Sequence, residues 1–392
     1  MSRSVHSPLP LLGGLSAREF MARHWQKRPL LVRNAIAGFS DPLSREAILG
    51  LAQHDDVESR LVRGGGSAWT LAHGPFAPRD FARRGGVPWT VLVQDVQHHS
   101  AQAHRLLDRF AFIPHVRVDD LMVSFAVDGG GVGPHVDSYD VFLLQGAGRR
   151  RWQISFQDDL TLLEGQPLKI LRNFQAQAEY VLEPGDMLYL PPNVAHHGVA
   201  IGDCLTWSIG FRAPTYQELA VAYLDQCRDE LDLEGQYADS RLKPTLHPGA
   251  IGSDMHRDLQ GALLPLAARL RQPRRIESFL GSFLTEPKSH VFFDPPQRQL
   301  GRAEFSRRVA ANGIALSLKS RLAYLGSRFF LNGRELAVDR ADRPLHRLLA
   351  DARGIGGLEA ASASPRALAR WHEAYLGGEL LVPKRAARNA DP

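Results

Sequence analysis

Between Trp89 and Phe211 the chain reads as a series of short apolar runs separated by glycine, proline and aspartate turns, and this limits the folds open to it. The runs are Trp89–Val96, Leu121–Val127, Val141–Gln145, Arg151–Ser155, Tyr180–Glu183, Met187–Leu190 and Cys204–Phe211. Each is short and rich in β-branched and aromatic residues, which marks strands rather than helices. Breakers stand between them, among them Asp128-Gly129-Gly130-Gly131 and Pro184-Gly185-Asp186. Many short strands joined by such turns predict a sandwich or barrel, and a double-stranded β-helix (cupin, jelly-roll) fits.

Two polar groups of this region carry chemistry. In Gly131-Val132-Gly133-Pro134-His135-Val136-Asp137 the histidine and the aspartate are two apart, so in extended chain their side chains point the same way. A third donor follows in Pro191-Pro192-Asn193-Val194-Ala195-His196-His197-Gly198. Two histidines and one carboxylate on one face leave open positions opposite, the facial arrangement of non-haem Fe(II) oxygenases. His98, His99 and His104 lack a carboxylate at matching spacing and are read as non-ligands.

His135-x-Asp137, the later His196 and the run Gln145-Gly146-Ala147-Gly148-Arg149-Arg150-Arg151-Trp152 together resemble the JmjC-type 2-oxoglutarate oxygenases. More narrowly, they resemble the bacterial ribosomal oxygenases, which hydroxylate an arginine of a large-subunit ribosomal protein. The run Trp25-Gln26-Lys27-Arg28-Pro29-Leu30-Leu31 resembles the opening of that family. The resemblance implies Fe(II) on His135, Asp137 and His196, with His197 pointing away. It also implies 2-oxoglutarate bound through its far carboxylate by Arg150, with a hydrogen bond from Ser124. Alternation along a strand sets Arg150 opposite to Arg149 and Arg151, which leaves those two on a solvated face. Asp119, Asp120 and Asp140 are either attractors of a cationic substrate or solvated loop residues. The rival readings are the same chemistry on a histidine of a ribosomal protein or on RNA, a metal-binding cupin without oxygenase activity, and a nucleic-acid-binding scaffold.

Elsewhere the pattern changes. Ser16 with Glu19 makes a capping box ahead of a helix, and residues 34–88 read as helix and loop. After Pro214 the apolar period becomes helical. Thr215 caps with Glu218, and Tyr216, Leu219, Ala220, Tyr223, Leu224, Cys227 and Leu231 share a face. Leu259, Leu263, Leu266 and Leu270 suggest a second helix with a kink or break at Pro265; Ile276, Phe279, Leu280, Phe283 and Leu284 suggest a third. Such a helical block after a β-domain predicts a dimerisation module. Further on, Asn332-Gly333 between apolar runs signals a hairpin, with helices expected at Arg343–Ala350 and Pro365–Leu376. This mixture suggests a winged-helix-like domain, which the resemblance also implies. It shows no fan of base-reading side chains, so sequence-specific DNA binding is not expected. The expected class is therefore α+β, with a JmjC/cupin catalytic domain at 1–214, a helical dimerisation domain at 215–290 and a winged-helix-like domain at 291–392.

Composition narrows the setting. The chain has 392 residues, 44% hydrophobic and 23% charged, as in globular proteins. No apolar run is long enough for a membrane span, and the N-terminus has no basic-then-apolar leader pattern. Cys204 and Cys227 are the two cysteines, too few for a disulfide framework, which fits a cytoplasmic protein. Net charge is +5, but from Gly301 onward 16 basic residues face 9 acidic ones. That excess reads either as affinity for a polyanion such as RNA or as an arginine-rich solvated surface.

Overall fold

The structure is a computed structural model that describes residues 5–383, apart from 67, 83–85, 230, 232–235, 241 and 252. Contacts divide the chain into two units, residues 1–213 with 289–292, and residues 214–288 with 293–392.

The first unit contains α1 (Ala17–Arg23), β1 (Leu30–Val32), α2 (Arg45–Leu51), β2 (Ser59–Gly65), β3 (Ala68–His73), β4 (Trp89–Val93) and α3 (Ala101–Leu107). It continues with β5 (Asp120–Ala126), β6 (Asp140–Gln145), β7 (Arg149–Ser155), β8 (Ala178–Leu182), β9 (Met187–Leu190), β10 (Ala195–Ile201) and β11 (Cys204–Phe211). Eight strands form one sheet in the order β1-β9-β6-β11-β5-β4-β2-β3, and three form a second in the order β10-β7-β8. The two face each other as a double-stranded β-helix. Pairing is antiparallel throughout, which lets short turns join neighbours.

The large sheet is covered on both faces, and this explains its nearly continuous apolar runs. Trp89, Val91, Val93, Leu121, Val123, Phe125, Phe142, Leu144, Trp207 and Ile209 face a core that also holds Phe20, Ile48, Leu106 and Phe110 from the helices. The alternate positions face the smaller sheet. There Val141, Leu143, Leu188 and Leu190 pack against Trp152, Ile154, Leu182 and Val194. Polar residues at the alternate positions of β4, β5 and β11, namely Thr90, Asp120, Ser124 and Ser208, are buried and line a cavity between the sheets.

Local chemistry fixes the joints. Ser16 Oγ accepts from Glu19 N while Glu19 returns a bond to Ser16 N, so the expected capping box forms. Asp186, in the turn before β9, accepts from Asn34 N, Glu183 N and Arg33 Nη1, which ties β1's exit to the sheet. The reading of residues 34–88 as helix and loop is corrected: α2 is there, but β2 and β3 form a hairpin at the edge of the large sheet. Ser59-Arg60-Leu61-Val62-Arg63-Gly64-Gly65 is charged and glycine-rich, so little local preference announces a strand. Its pairing with β4 supplies the order.

The second unit contains α4 (Tyr216–Asp229), α5 (Ser253–Leu270), α6 (Pro273–Thr285), α7 (Arg302–Asn312), β12 (Ile314–Leu316), β13 (Leu322–Leu325), β14 (Arg328–Leu331) and β15 (Arg334–Leu336). It ends with α8 (Arg343–Ala352), β16 (Gly354–Ile355), α9 (Gly357–Ala360), α10 (Pro365–Leu376) and β17 (Leu380–Leu381). Thr215 and Glu218 cap α4 reciprocally. Of the kink or break expected at Pro265, the break does not occur, since α5 runs through that residue. No residue of α5 is buried, so the carbonyl that Pro265 leaves unpaired stays hydrated. Asn332 and Gly333 both have positive φ, +49° and +83°, and join β14 to β15 in the expected hairpin. The α6 helix packs on this sheet, where Gly281 lies too close to the Phe330 ring to admit a Cβ. α7 to α10 with β12 to β17 close around Phe305, Val309, Leu349 and Trp371 as a winged-helix fold.

Candidate metal centre

His135 and His196 face each other across a single antiparallel bridge. His135 N donates to His196 O at 3.0 Å and His196 N donates to His135 O at 2.9 Å. This mutual pair holds the two imidazoles side by side, with ring centroids 4.2 Å apart. Asp137, two residues on, has one carboxylate oxygen 3.9 Å from His135 Nε2 and the other 3.6 Å from His196 Nε2. One donor atom from each of the three lies within 4.8 Å of the others, and among the described residues this is the cluster of metal-ligating type.

The second nitrogen of each ring is committed. His135 Nδ1 is 2.9 Å from Gly133 O, and His196 Nδ1 is 2.9 Å from Val194 O. A carbonyl only accepts, so each Nδ1 carries the proton and each Nε2 presents its lone pair inward. Burial and the neighbouring His135 ring push the His196 imidazole down to about 4, which keeps it neutral and its Nε2 lone pair available at physiological pH. Gly133 has φ +79°, and its Cβ would be 2.4 Å from Ile170. That turn, which aims the Gly133 carbonyl at His135, thus requires glycine.

His196 lies on β10 rather than in a proline turn, and alternation separates it from its neighbour. His196 is buried, while His197 points out and meets Phe174 edge-on. The same alternation acts on β7, where Arg150 is buried and Arg149 and Arg151 are exposed. Arg150 stands opposite Ala200, and Ile154 opposite His196. Arg150 is therefore four residues along the strand from the metal cluster, roughly 13 Å at 3.3–3.4 Å per residue.

His135, Asp137, His196, Arg150 and Ser124 line one cavity of about 380 Å³. Arg150 Nε and Nη2 are shielded from solvent without an acceptor, and Ser124 lies on the facing sheet. An unpaired buried guanidinium is costly unless a ligand supplies oxygen, and its planar fork matches a carboxylate. The residues present therefore fit a divalent iron together with an elongated dicarboxylate.

Of the acidic candidates, Asp119 and Asp120 line the cavity. Asp140 does not, and its reading as a possible attractor of substrate is corrected. It is fully buried, accepts from Tyr189 Oη at 2.5 Å and Gln26 Nε2 at 3.1 Å, and burial raises its pKa. His98 and His104 belong to a separate polar network, with Gln97 Nε2 3.3 Å from His98 Nε2 and His104 Nδ1 3.2 Å from Gln97 O. Sequence reasoning missed Arg60, Val62 and Leu71, which the β2–β3 hairpin contributes to the cavity wall. It also missed Tyr139, another wall residue, which stands two residues after Asp137.

Comparison with known proteins agrees with this geometry. The JmjC domain family model matches residues 105–219, and the ROXA-like winged helix model matches residues 268–378. The ribosomal protein uL16 3-hydroxylase of Escherichia coli is 34% identical over 331 residues, 83% of this chain and 86% of that protein. The X-ray structure of Escherichia coli YcfD superposes with a TM-score of 0.82 at 31% identity, covering 94% of this chain and 98% of that one. YcfD, described as a ribosomal oxygenase, in complex with cobalt and 2-oxoglutarate gives a TM-score of 0.79 at 32% identity over the same shares.

The opposed directions of His196 and His197 lead to a direct expectation. In a Co(II) titration, His196→Ala should lose one-to-one binding, while His197→Ala keeps it. The reverse result would move the ligand by one position.

Proposed function

The chain belongs to the JmjC-domain ribosomal oxygenases, and on that premise we propose that it hydroxylates an arginine side chain of the large-subunit ribosomal protein uL16. It is a dioxygenase that depends on 2-oxoglutarate and Fe(II). In this reading His135, Asp137 and His196 hold the iron, and Arg150 with Ser124 holds the far carboxylate of 2-oxoglutarate. The observation that carries it is the pairing of two Nε2 lone pairs and a carboxylate with an unsatisfied buried arginine in the same cavity. When bound, the iron and the oxo acid together activate dioxygen and deliver one oxygen atom to an unactivated C–H bond.

The chain's own residues bind, orient and exclude water. The carbonyls of Gly133 and Val194 fix the two imidazoles before any metal arrives. Trp152, its ring tilted against His196 with centroids 5.9 Å apart, covers the centre from the side of the smaller sheet. Asp119 and Asp120 set a negative wall that suits a guanidinium, and positioning the target carbon is the main task left to the protein. Burial and the carboxylates of Asp137, Asp120 and Asp119 raise the Tyr139 pKa, so this wall keeps a neutral hydroxyl. Among the described residues no helix is long and apolar enough to cross a membrane, and a ribosomal substrate suits a cytoplasmic location.

We also propose that residues 215–290 pair two copies of the chain, and that residues 291–392 form a contact domain that does not read DNA sequence. α5 buries no residue within its own chain, and Leu259 and Leu264 on it are 58% and 70% exposed. Tyr216 and Leu224 of α4 are exposed as well. An isologous dimer is the commonest way to cover such a surface. α6 would then serve both parts, since it also packs on the β13–β15 sheet.

Three outcomes are expected. Arg150→Ala should raise the apparent constant for 2-oxoglutarate more than tenfold, corresponding to roughly 2–5 kcal/mol for a buried charge pair, whereas Arg149→Ala should not; equal effects would contradict the assignment to opposite strand faces. Light scattering at micromolar concentration should give a dimer, and Leu264→Asp should give a monomer; a monomeric parent protein removes the assembly. Incubation of uL16 with this protein, Fe(II) and 2-oxoglutarate should add one oxygen, about 16 Da, to a single arginine. An unmodified uL16 beside an oxidised histidine peptide or RNA would keep the oxygenase and discard the substrate.

A further inference from the structure

The cavity holds a second arginine for which the metal and co-substrate have no use. Arg60 lies on β2, opposite Leu92 of β4, and Leu92 in turn stands opposite Ser124 of β5. It lines the same cavity as Arg150, Asp119, Asp120 and Tyr139. Arg60 is half-buried, and its Nε is shielded from solvent with no acceptor. Its charge reaches the Tyr139 hydroxyl. The remaining cation of the wall, Lys169, is exposed and hydrated.

2-Oxoglutarate has one distal carboxylate, and Arg150 on the smaller sheet is placed to take it. Arg60 comes from the opposite sheet and from a hairpin at its edge. A guanidinium nitrogen shut off from both water and protein acceptors is unfavourable unless a ligand brings the oxygen. Its fork favours a carbonyl or a carboxylate. Asp119 and Asp120, in the same cavity, favour the opposite charge.

We propose that Arg60 is a substrate-positioning residue whose guanidinium receives an oxygen acceptor from the polypeptide segment that carries the target side chain. The inference rests on the polypeptide-hydroxylase reading above. The acidic wall takes the cationic target, and Arg60 takes an acceptor of its neighbouring chain, so the two fix the direction in which the segment crosses the cavity. Contacts of this kind hold substrate and transition state alike and therefore act on KM more than on kcat.

The test uses full-length protein, with uL16 as substrate. Arg60→Met should raise the KM for uL16 at least tenfold, with a much smaller change in kcat, and Arg60→Lys should recover part of the loss. The affinity for 2-oxoglutarate, measured with Mn(II) and without uL16, should stay at the parent value. Two forms of the substrate separate the sources of the acceptor. If a side-chain carboxylate is held, uL16 with acidic residues near the target changed to amides should bind the parent protein weakly and be indifferent to Arg60→Met. If a main-chain carbonyl is held, both forms should weaken equally. An unchanged KM for uL16 overturns the inference, as does an equal loss of 2-oxoglutarate affinity. If Arg60→Met does not fold, Arg60→Gln, which keeps donors without charge, is judged by the same readings. A parent protein that leaves uL16 unmodified overturns both this inference and the substrate reading, whereas a Met variant equal to the parent overturns this one alone.

Discussion

The reciprocal backbone bond between His135 and His196 organises the centre. It joins the loop after β5 to β10, and so links the large sheet to the small one at the point where chemistry is required. Without it the two imidazoles would be independent side chains on separate segments. With it, each ring is set beside the other, and the carbonyl two residues earlier fixes its tautomer. Asn193, with φ +64°, turns the chain just before β10, and its N–H donates to Asp137 O, which anchors the third donor to the same crossing. Preorganisation of this kind spares the metal the cost of ordering its ligands.

That crossing depends on a sheet whose two faces have different work. One face carries large aromatic and branched residues into the helical layer, including Trp89, Phe125, Phe142 and Trp207. The other interrupts its apolar residues with Thr90, Asp120, Ser124 and Ser208 to leave a polar cavity. Thr90 Oγ1 and two nitrogens of Arg150 are left there without a partner, which a bound group would supply. Arg150 is the sharpest case, since two of its buried nitrogens find no acceptor within the chain. The asymmetry between packed face and cavity face lets one sheet serve both stability and binding.

The convergence of His135 with Asp137 and the opposition of Arg150 to Arg149 and Arg151 were legible because their signals are local. His-x-Asp in extended chain and the arginine triplet on one strand depend only on period-two alternation, and both alternations hold in the structure. The hairpin at Asn332-Gly333 was legible for a similar reason, since only a few residue types accept two successive positive φ angles. What remained hidden depends on tertiary pairing. The β2–β3 hairpin has weak strand preference and exists because β4 offers an edge, so the wall containing Arg60 could not be read from its own residues. Asp140 adjoins the metal motif in sequence, yet strand direction turns it away toward Tyr189 and Gln26. Whether the chain stays helical through Pro265 depends on the exposure of α5, which hydrates the unpaired carbonyl and is a property of the folded chain.

One cavity carries the proposed chemistry, with the cluster of His135, Asp137 and His196 at one end and Arg150 at the other. A crystal structure of this chain grown with Mn(II) and 2-oxoglutarate under anaerobic conditions tests that most directly. The prediction is one ion, located by its anomalous signal, bound by Nε2 of His135, Nε2 of His196 and a carboxylate oxygen of Asp137, with the oxo acid's far carboxylate on Arg150. An ion held by other residues, or an oxo acid directed away from Arg150, would contradict it.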